Sequence, residues 1–411
     1  MKRRALALVL AAGFVVGSYA TDARVAVMGR QNTPWFYRDE VTVFNNPADM
    51  NRYPNMLYGS FGHFSEYEQS GAHMLQNLLP SDPHFGVMLS QRLGKEANAA
   101  ALSIGAFVNR RDYMVEQILQ ASGGGFVFDF DEFTGTNKGR YEYNLPDPTG
   151  KVDVMFGYDM GNGIALGLGM YVAVQNDLRE DRYMELYKGS FGVNWNIERG
   201  LDLEASVNYG MANAKYITPE NKYAVISDGD YLLRGDVRFF SAVPSLNGAF
   251  VPQVSLEIKN LAGSSVLDLN GGVGLNMNID RGFFWAGVQG IYTQESFDES
   301  NRKNDEWNSI GARLSFGIER NIIWDWFLVR VGGQKEIRRV AYGDGKITKW
   351  AENPASDGSD NDLVGLGFGV NLDNRLRIDV VASEDLPYTF TNLISGNAHH
   401  LFNRVSATYR F

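Results

Sequence analysis

Most of the chain is a succession of segments in which apolar and polar residues alternate. Between residues 201 and 209, every second residue is Leu, Ala, Val or Tyr, and Asp, Glu, Ser and Asn lie between them. A period of two places the two kinds of side chain on opposite faces of a β-strand. The same alternation recurs near residues 164–174, 267–279, 310–319 and 364–372. We therefore predict an all-β protein.

The alternating segments are longer than the strands of most soluble proteins. They run for about 10 to 14 residues, whereas soluble strands usually have about 5–6 and a tilted strand that crosses a bilayer needs about 9–11. Their polar face carries charged and small residues, such as Arg313, Ser315 and Glu319, which is typical of a wet lumen. A soluble β-sandwich has a similar alternation and is the alternative. Strand length favours a transmembrane antiparallel β-barrel.

The connections between these segments differ in length. Short turns are predicted near residues 94–98, 160–163, 198–200, 280–282, 320–323 and 373–375. Longer polar connections are predicted near 66–82, 113–149, 177–186, 215–229, 296–306, 341–361 and 385–398. Bacterial barrels have short periplasmic turns, longer outer loops and an even number of strands. We therefore predict a barrel of 14 or 16 strands in residues 56–411, located in the cell outer membrane.

The first 20 residues have the composition of a secretory signal peptide. Lys2, Arg3 and Arg4 form a basic start, and residues 5–16 are apolar apart from one Gly. Ser18 and Ala20 place small residues where a signal peptidase reads the chain. The apolar run is shorter than the about 20 residues of a membrane-spanning helix. We predict that residues 1–20 are removed on export.

The last segment of the chain predicts a partner in assembly. Leu401, Val405, Ala407, Tyr409 and Phe411 share one face, and the chain ends on Phe411. A terminal aromatic residue, with another two positions earlier, is typical of barrels inserted by the outer-membrane assembly machinery. We predict that Tyr409 and Phe411 form this barrel-assembly signal, and that the assembly machinery and outer-membrane lipid are partners of the chain.

Charge and residue usage exclude several other functions. The formal net charge is −10, whereas binding to nucleic acid needs clustered Lys and Arg, so we predict no nucleic-acid partner. The chain has no cysteine, which excludes disulfides and Cys-ligated metals. Five His are present; nothing places a nucleophile beside His63, and the adjacent His399 and His400 would point to opposite faces of a strand. We predict no catalytic residue, no metal site, no cofactor and no enzymatic activity.

Residues 21–55 do not alternate and carry a separate motif. Its members are Met28, Gly29, Asp39, Asn46, Pro47, Ala48 and Met50. This order resembles the N-terminus of the long-chain fatty acid transporter (FadL-type) family and of the related PorV-like barrels. The chain departs from the family pattern at Arg30, where a second Gly is usual, and at Asp49, where many members have Gly.

The resemblance implies a 14-stranded barrel whose N-terminal segment folds into the lumen as a small plug. The residues themselves fit this implication, because Asn46-Pro47 starts a turn and the aromatic run at 35–37 requires burial. We therefore predict that residues 21–55 form a plug, with the motif as its gate. A short periplasmic extension is the alternative.

The resemblance also implies the function. In the FadL-type family a ligand enters from outside, binds in the barrel and leaves after the plug shifts. We therefore expect this chain to pass a small hydrophobic or amphipathic molecule across the outer membrane. The alternatives are a PorV-like carrier that handles a secreted protein partner, and a structural barrel with a closed lumen.

Overall fold

The computed structural model describes most of the chain after the N-terminus. The described residues are 22–28, 35–61, 83–96, 98–112, 126–127, 141–142, 148–177, 182–197, 200–217, 224–261, 264–297, 307–342, 347–351, 363–373, 375–382 and 402–411. The signal peptide predicted at residues 1–20 lies outside them.

The described residues are mainly β-strands. Their bounds are β1 Met56–Phe61, β2 His84–Arg92, β3 Ala101–Val108, β4 Phe126–Val127, β5 Tyr141–Glu142, β6 Gly150–Asp159, β7 Ile164–Asp177, β8 Arg182–Ile197, β9 Leu201–Ile217, β10 Ala224–Val243, β11 Gly248–Leu261, β12 Ser264–Ile279, β13 Gly282–Phe297, β14 Trp307–Asn321, β15 Phe327–Tyr342, β16 Ile347–Ala351, β17 Leu363–Leu372, β18 Leu376–Ala382 and β19 Phe402–Arg410. Most of the long strands pair with the next long strand in the chain, as expected of an up-and-down barrel.

The sheet closes on itself between the first and last strands. Met56 of β1 lies opposite Arg410 of β19 and, on its other side, opposite Met88 of β2. The short strand β16 pairs with one end of β15, while β17 pairs with the rest of β15. Strands β4 and β5 form a separate two-stranded sheet. The remaining 16 strands form a closed ring of antiparallel pairs.

This closure confirms the predicted antiparallel barrel at the higher of its two strand counts. The count of 14 implied by the family resemblance is wrong, because each of the 16 strands of the ring pairs with two neighbours. A ring of 14 would leave two long paired strands with an exposed hydrogen-bonding edge, which the hydrocarbon of a bilayer does not tolerate.

The two faces of the wall have opposite character, as the alternation predicted. On β14, Leu314 and Phe316 point outward and are 58% and 42% exposed, while Ser315 and Glu319 point inward and are buried. Similar apolar side chains are exposed around the barrel, including Phe85, Leu168, Val207 and Val288. An apolar outer face and a polar inner face are the reverse of a soluble protein and fit a barrel surrounded by lipid.

The short turns lie at one end of the barrel, together with the C-terminus. Phe411 donates its backbone N–H to the Asn55 carbonyl at 3.2 Å, immediately before β1. In the turn between β6 and β7, Gly161 has a φ of +73°, and a side chain there would lie 2.0 Å from the Asn98 carbonyl oxygen. By the general asymmetry of bacterial barrels, this is the periplasmic end.

Two parts of the N-terminal region lie inside the barrel. They are residues 22–28 and 35–55, which we call the interior segment. They contain helix α1 (Asp22–Val27) and two 3₁₀ helices, Glu40–Phe44 and Pro47–Arg52. A third 3₁₀ helix, Pro244–Leu246, lies in a periplasmic turn. In the described residues, no helix has the length and apolarity needed to cross a membrane.

A charge on the outer face should destabilise the barrel according to its depth in the bilayer. Leu314 is at the middle of β14, whereas Ile310 lies nearer the outer end, and both are exposed. We expect Leu314→Arg to lower the free energy of unfolding in phospholipid vesicles by about 2–4 kcal/mol, because arginine is costliest at the bilayer midplane. Ile310→Arg should cost less. Equal costs in denaturant titrations of the two variants would contradict this depth dependence.

Candidate functional site

The motif residues of the interior segment begin its two 3₁₀ helices. Asp39 precedes the helix Glu40–Phe44, and its carboxylate accepts the Val41 N–H at 3.2 Å. Asn46 precedes the helix Pro47–Arg52, and its side-chain oxygen accepts the Ala48 N–H at 3.2 Å. An oxygen at this position pairs a backbone N–H that the helix leaves free, and proline suits the first helical position because it has no N–H.

A group of buried ion pairs joins α1 to the wall near the periplasmic end. Glu319 of β14 accepts two hydrogen bonds of 2.8 Å from Arg24, and others from Arg330 at 3.0 Å and Arg377 at 3.3 Å. Arg24 also donates to Asp39 at 3.1 Å. These contacts tie α1 and the start of the first 3₁₀ helix to the same wall carboxylate.

The same group extends along the wall to Asp379 of β18. Its carboxylate lies 2.6 Å from Arg330 and 3.0 Å from Arg377. All of these side chains are at most 5% exposed. Arg24 supplies the two shortest hydrogen bonds on Glu319, and a buried charge is stable only when it is well paired. The group therefore favours the docked position of the segment.

A second group of ion pairs holds the two 3₁₀ helices on the opposite wall. Glu204 of β9 accepts hydrogen bonds of 2.6 Å from Arg238 of β10 and from Arg38 of the segment, and it also pairs with Arg52. Arg52 lies 2.5 Å from Asp49, one turn earlier in its helix. One wall carboxylate thus binds two arginines of the interior segment.

Asp49 explains one departure from the family motif. Its side chain is buried and accepts hydrogen bonds from Thr42 at 2.5 Å and from Asn194 of β8 at 2.8 Å. Asn46 in turn donates to Asn194 at 2.8 Å. A glycine at position 49 lacks these contacts, so in this chain the carboxylate links the two 3₁₀ helices to each other and to the wall.

A third group lies farther toward the outer end. Arg110, after β3, donates to both carboxylate oxygens of Asp153 at 2.8 and 2.7 Å and also pairs with Asp112 at 2.8 Å. Lys188 of β8 pairs with Asp112 and donates to the Phe44 carbonyl at 3.3 Å. The Arg110 guanidinium lies 4.1 Å from the centre of the Phe44 ring. This group covers the end of the first 3₁₀ helix.

The aromatic run at 35–37 is buried against the barrel wall. Trp35, Phe36 and Tyr37 are at most 7% exposed, and they pack with Trp285 of β13. The Phe36 ring fits where the wall has no side chain, because a Cβ on Gly274 or on Gly287 would lie 2.3 Å from it. The wall glycines therefore make room for the segment.

The predicted site residues fall in two places. Met28, Asp39, Asn46, Pro47 and Ala48 are buried inside the barrel, where Met28 lies against Gly317 and Trp285, whereas Gly29 lies outside the described residues. At the other site, Tyr409 is 40% exposed on the outer face and Phe411 is 58% exposed. The gate role of the first set and the assembly role of the second stay predictions.

The wall partners of the segment were not predicted. They are Glu204, Arg238, Glu319, Arg330, Arg377 and Asp379. The alternation alone predicts that Glu319 lies on the inward face, opposite the apolar positions of β14. Which of these partners meet is decided by strand register and by closure of the ring, and neither can be read from the local pattern.

Burial shifts the pKa of one motif carboxylate into the physiological range. Burial raises the pKa of Asp39 to about 7, although the charge of Arg24 and the N–H of Val41 oppose the shift. Arg24 compensates Asp39 only in part, because its two shortest hydrogen bonds go to Glu319. The charged form of Asp39 is therefore stabilised less than it would be by an arginine that bonded to Asp39 alone.

These features together define a class of protein. The ring is closed, its outer face is apolar, and its inner face carries charges that pair with a segment of the same chain. The chain is an outer-membrane β-barrel protein whose lumen contains its N-terminal region.

Comparisons with known proteins add only general likeness to outer-membrane barrels. No protein-family model matches the chain, and no curated protein matches it. The solved TodX monoaromatic hydrocarbon channel (deltaS2 mutant) covers 95% of this chain and 98% of its own, with 9% identity and a TM-score of 0.40. OmpT, an outer membrane protein of Vibrio cholerae, covers 87% of this chain and 97% of its own, with 8% identity and a TM-score of 0.36.

A third solved structure is similar to the same degree. BamA from Haemophilus ducreyi lacking POTRA domains 1-3 covers 86% of this chain and 70% of its own, with 11% identity and a TM-score of 0.39. Likeness at this level assigns neither a family nor a function, so the FadL-type resemblance of the motif stays a prediction.

Filling a glycine gap in the wall should displace the second 3₁₀ helix. A Cβ on Gly167 would lie 2.1 Å from the Ala48 nitrogen, whereas a Cβ on Gly189 would meet nothing within 4 Å. We expect Gly167→Ala to weaken docking by about 1–3 kcal/mol, as overpacking usually does. Hydrogen exchange of residues 47–52 should become faster in this variant and stay unchanged in Gly189→Ala. Equal protection in both variants would contradict the packing argument.

Docking of the interior segment should weaken as pH rises through neutrality. Asp39 has a pKa of about 7 when buried and an ordinary value of 3.8 when exposed, so the docked form binds the proton more tightly. The contribution of Asp39 to the stability of docking is therefore greatest below about pH 4 and is lost as pH rises through about 7. We expect amide protection of residues 22–28, corrected for intrinsic exchange, to be lower at about pH 8 than at about pH 5.

The matched variant for this pH dependence is Asp39→Asn, which cannot titrate. It should show nearly the same protection at both pH values. If Asp39→Asn keeps the full pH dependence of the natural chain, a different group is responsible.

Proposed function

We propose that the chain is a gated channel of the outer membrane and that the interior segment is its gate. One observation carries the proposal: the segment contacts the wall around almost its whole circumference. Helix α1 packs on β15, β17, β18 and β19, Phe36 on β12 and β13, Arg38 pairs with β9, and the helix Pro47–Arg52 packs on β3, β6, β7 and β8. A solute can cross this level only if the segment moves.

The contacts that hold the segment are suited to reversible release. They are ion pairs, hydrogen bonds and packing, and the chain has no cysteine that would fix the segment covalently. Each wall carboxylate keeps a second cation when the segment leaves, since Glu319 still has Arg330 and Glu204 still has Arg238. The two wall carboxylates therefore remain paired with an arginine when the gate opens.

The charged side chains of the inner wall favour passage of an amphipathic solute over that of a purely hydrophobic one. Arg313 lies nearer the outer end of β14 than Glu319 does, and it pairs with Glu336 at 2.6 Å. On the nearby strands β11 and β12, Lys259 lies 3.5 Å from Asp268. A molecule that moves past these pairs needs polar groups to replace water around them. Passage of this kind requires no enzymatic activity and no cofactor.

A structural barrel is the second candidate, and the buried ion pairs favour it. The same contacts that a gate must break would suit a lumen that never opens. The PorV-like role, in which the barrel handles a secreted protein, rests on the resemblance of the motif alone. Outer-membrane lipid, and the assembly machinery through Tyr409 and Phe411, are proposed partners in each case.

A disulfide between gate and wall tests the proposal. Ser103 of β3 donates to the Asn51 side chain of the segment at 2.9 Å, so a disulfide between cysteines at these two positions would join the segment to the wall. We expect oxidised Asn51→Cys/Ser103→Cys to reduce solute flux into phospholipid vesicles to the level of empty vesicles, and a reductant to restore it. The solutes are small sugars, amino acids and short-chain fatty acids.

The chain provides a matched control for the cross-link. The Ser103 hydroxyl also lies 3.0 Å from the Ser90 hydroxyl of the neighbouring strand β2. Oxidised Ser90→Cys/Ser103→Cys links wall to wall and should leave the flux unchanged. Equal flux through the oxidised and reduced forms of the gate variant would contradict gating. No flux of any of these solutes in the natural chain would favour the structural barrel.

A further inference from the structure

One periplasmic turn exposes an unusual amount of apolar surface. It joins β14 to β15 through residues 322–326. Ile322, Ile323, Trp324 and Trp326 are 44%, 72%, 51% and 43% exposed. Large apolar side chains on a soluble surface are usually scattered, and a contiguous patch marks a surface that contacts something.

The patch is continuous with the lipid-facing wall. Phe327 of β15 stacks on Phe368 of β17, with ring centres 6.0 Å apart, and its edge meets Trp326 at 5.9 Å. Trp326 stacks on Trp324 at 5.1 Å, with the planes only 8° apart. Four aromatic rings thus form an unbroken row from the outer face of the barrel into the turn.

The outward column of β14 leads to the same turn. Phe316, Ile318 and Arg320 follow Leu314 on this face, and Ile322 is the next outward position. Arg320 is 54% exposed on its side chain, and it pairs with Asp280 of the neighbouring turn at 3.3 Å. The order along the strand is therefore apolar, cationic and apolar again, with the cation at the edge of the apolar band.

The other short turns at this end differ. Where they are described, the turns at 93–100, 160–163 and 244–247 each expose one large apolar residue, respectively Leu93, Met160 and Leu246. The turn between β12 and β13 consists of Asp280 and Arg281. Among the described residues of the short turns, the turn 322–326 therefore exposes the most apolar surface.

We propose that the turn 322–326 inserts among the phospholipid headgroups of the periplasmic leaflet and anchors this side of the barrel there. Tryptophan prefers the boundary between headgroups and hydrocarbon, because its ring is apolar and its N–H finds polar partners. Arg320 and Arg281 lie beside the patch, where they pair with the exposed Asp280 and with Asp325 of the turn, and their guanidinium groups can also bind lipid phosphates while their stems stay in apolar surroundings. Lipid is the occupant because the patch continues a surface that lipid already covers. The inference does not depend on whether the barrel passes a solute.

Site-directed spin labelling tests this placement, and the absence of native cysteine makes it direct. The probe is a nitroxide on Ile323→Cys in vesicles of phosphatidylethanolamine and phosphatidylglycerol. The matched control is a nitroxide on Ser245→Cys, an exposed residue of another short turn at the same end. Ile323 is 72% exposed, so its replacement leaves the packing of the barrel unchanged.

Collisions with oxygen and with a water-soluble nickel chelate distinguish the outcomes, because oxygen concentrates in lipid. We expect a ratio of oxygen to nickel accessibility several-fold higher at position 323 than at 245. Equal ratios would place the turn in water and overturn the proposal. Protection of position 323 from both reagents would also overturn it, because a protein surface or a second copy of the chain would then cover the turn.

A second measurement uses the native tryptophans and needs no label. Lipids brominated near the headgroup should quench the natural chain more strongly than Trp324→Phe/Trp326→Phe. Equal fractional quenching of the two proteins would contradict insertion of the turn.

Discussion

Glu319 and Glu204 are carboxylates buried on the inner wall, and each is compensated in part by arginines of the interior segment. The wall arginines Arg330 and Arg238 supply the rest of the compensation. This sharing makes the wall and the segment one electrostatic unit, since a buried charge must be paired to be stable. The position of the helices inside the barrel and the burial of the aromatic run both follow from it.

Shape complements charge at the same interface. Glycines of the wall lie under Phe36 and under Pro47 and Ala48, where any side chain would collide with the segment. Glycine weakens a strand that has no other support, but here the strands are held by the closed ring. The barrel therefore tolerates glycine on its inner face, and the segment gains close contact with the backbone of the wall.

The sequence predicted the faces of the strands well, because lipid demands an apolar outer face along the whole bilayer. Strand ends were harder: the long connection predicted at 215–229 falls partly in β9 and β10, which pair as far as Ile217 and Ala224. Beyond the bilayer the outer face need not be apolar, so the alternation is lost while backbone pairing continues. The motif located Asp39 and Asn46, but their partners, such as Glu319 and Asn194, depend on closure of the ring.

The contacts of α1 also constrain the order of assembly. Arg24 bonds to a residue 295 positions later in the chain, and the Ala23 N–H donates to Ser406, 383 positions later. Contacts so distant in sequence form slowly, because the intervening chain must first be brought together. Helix α1 thus acquires its final partners only when the last strand is in place. Docking of α1 is therefore a late folding event that reports completion of the barrel.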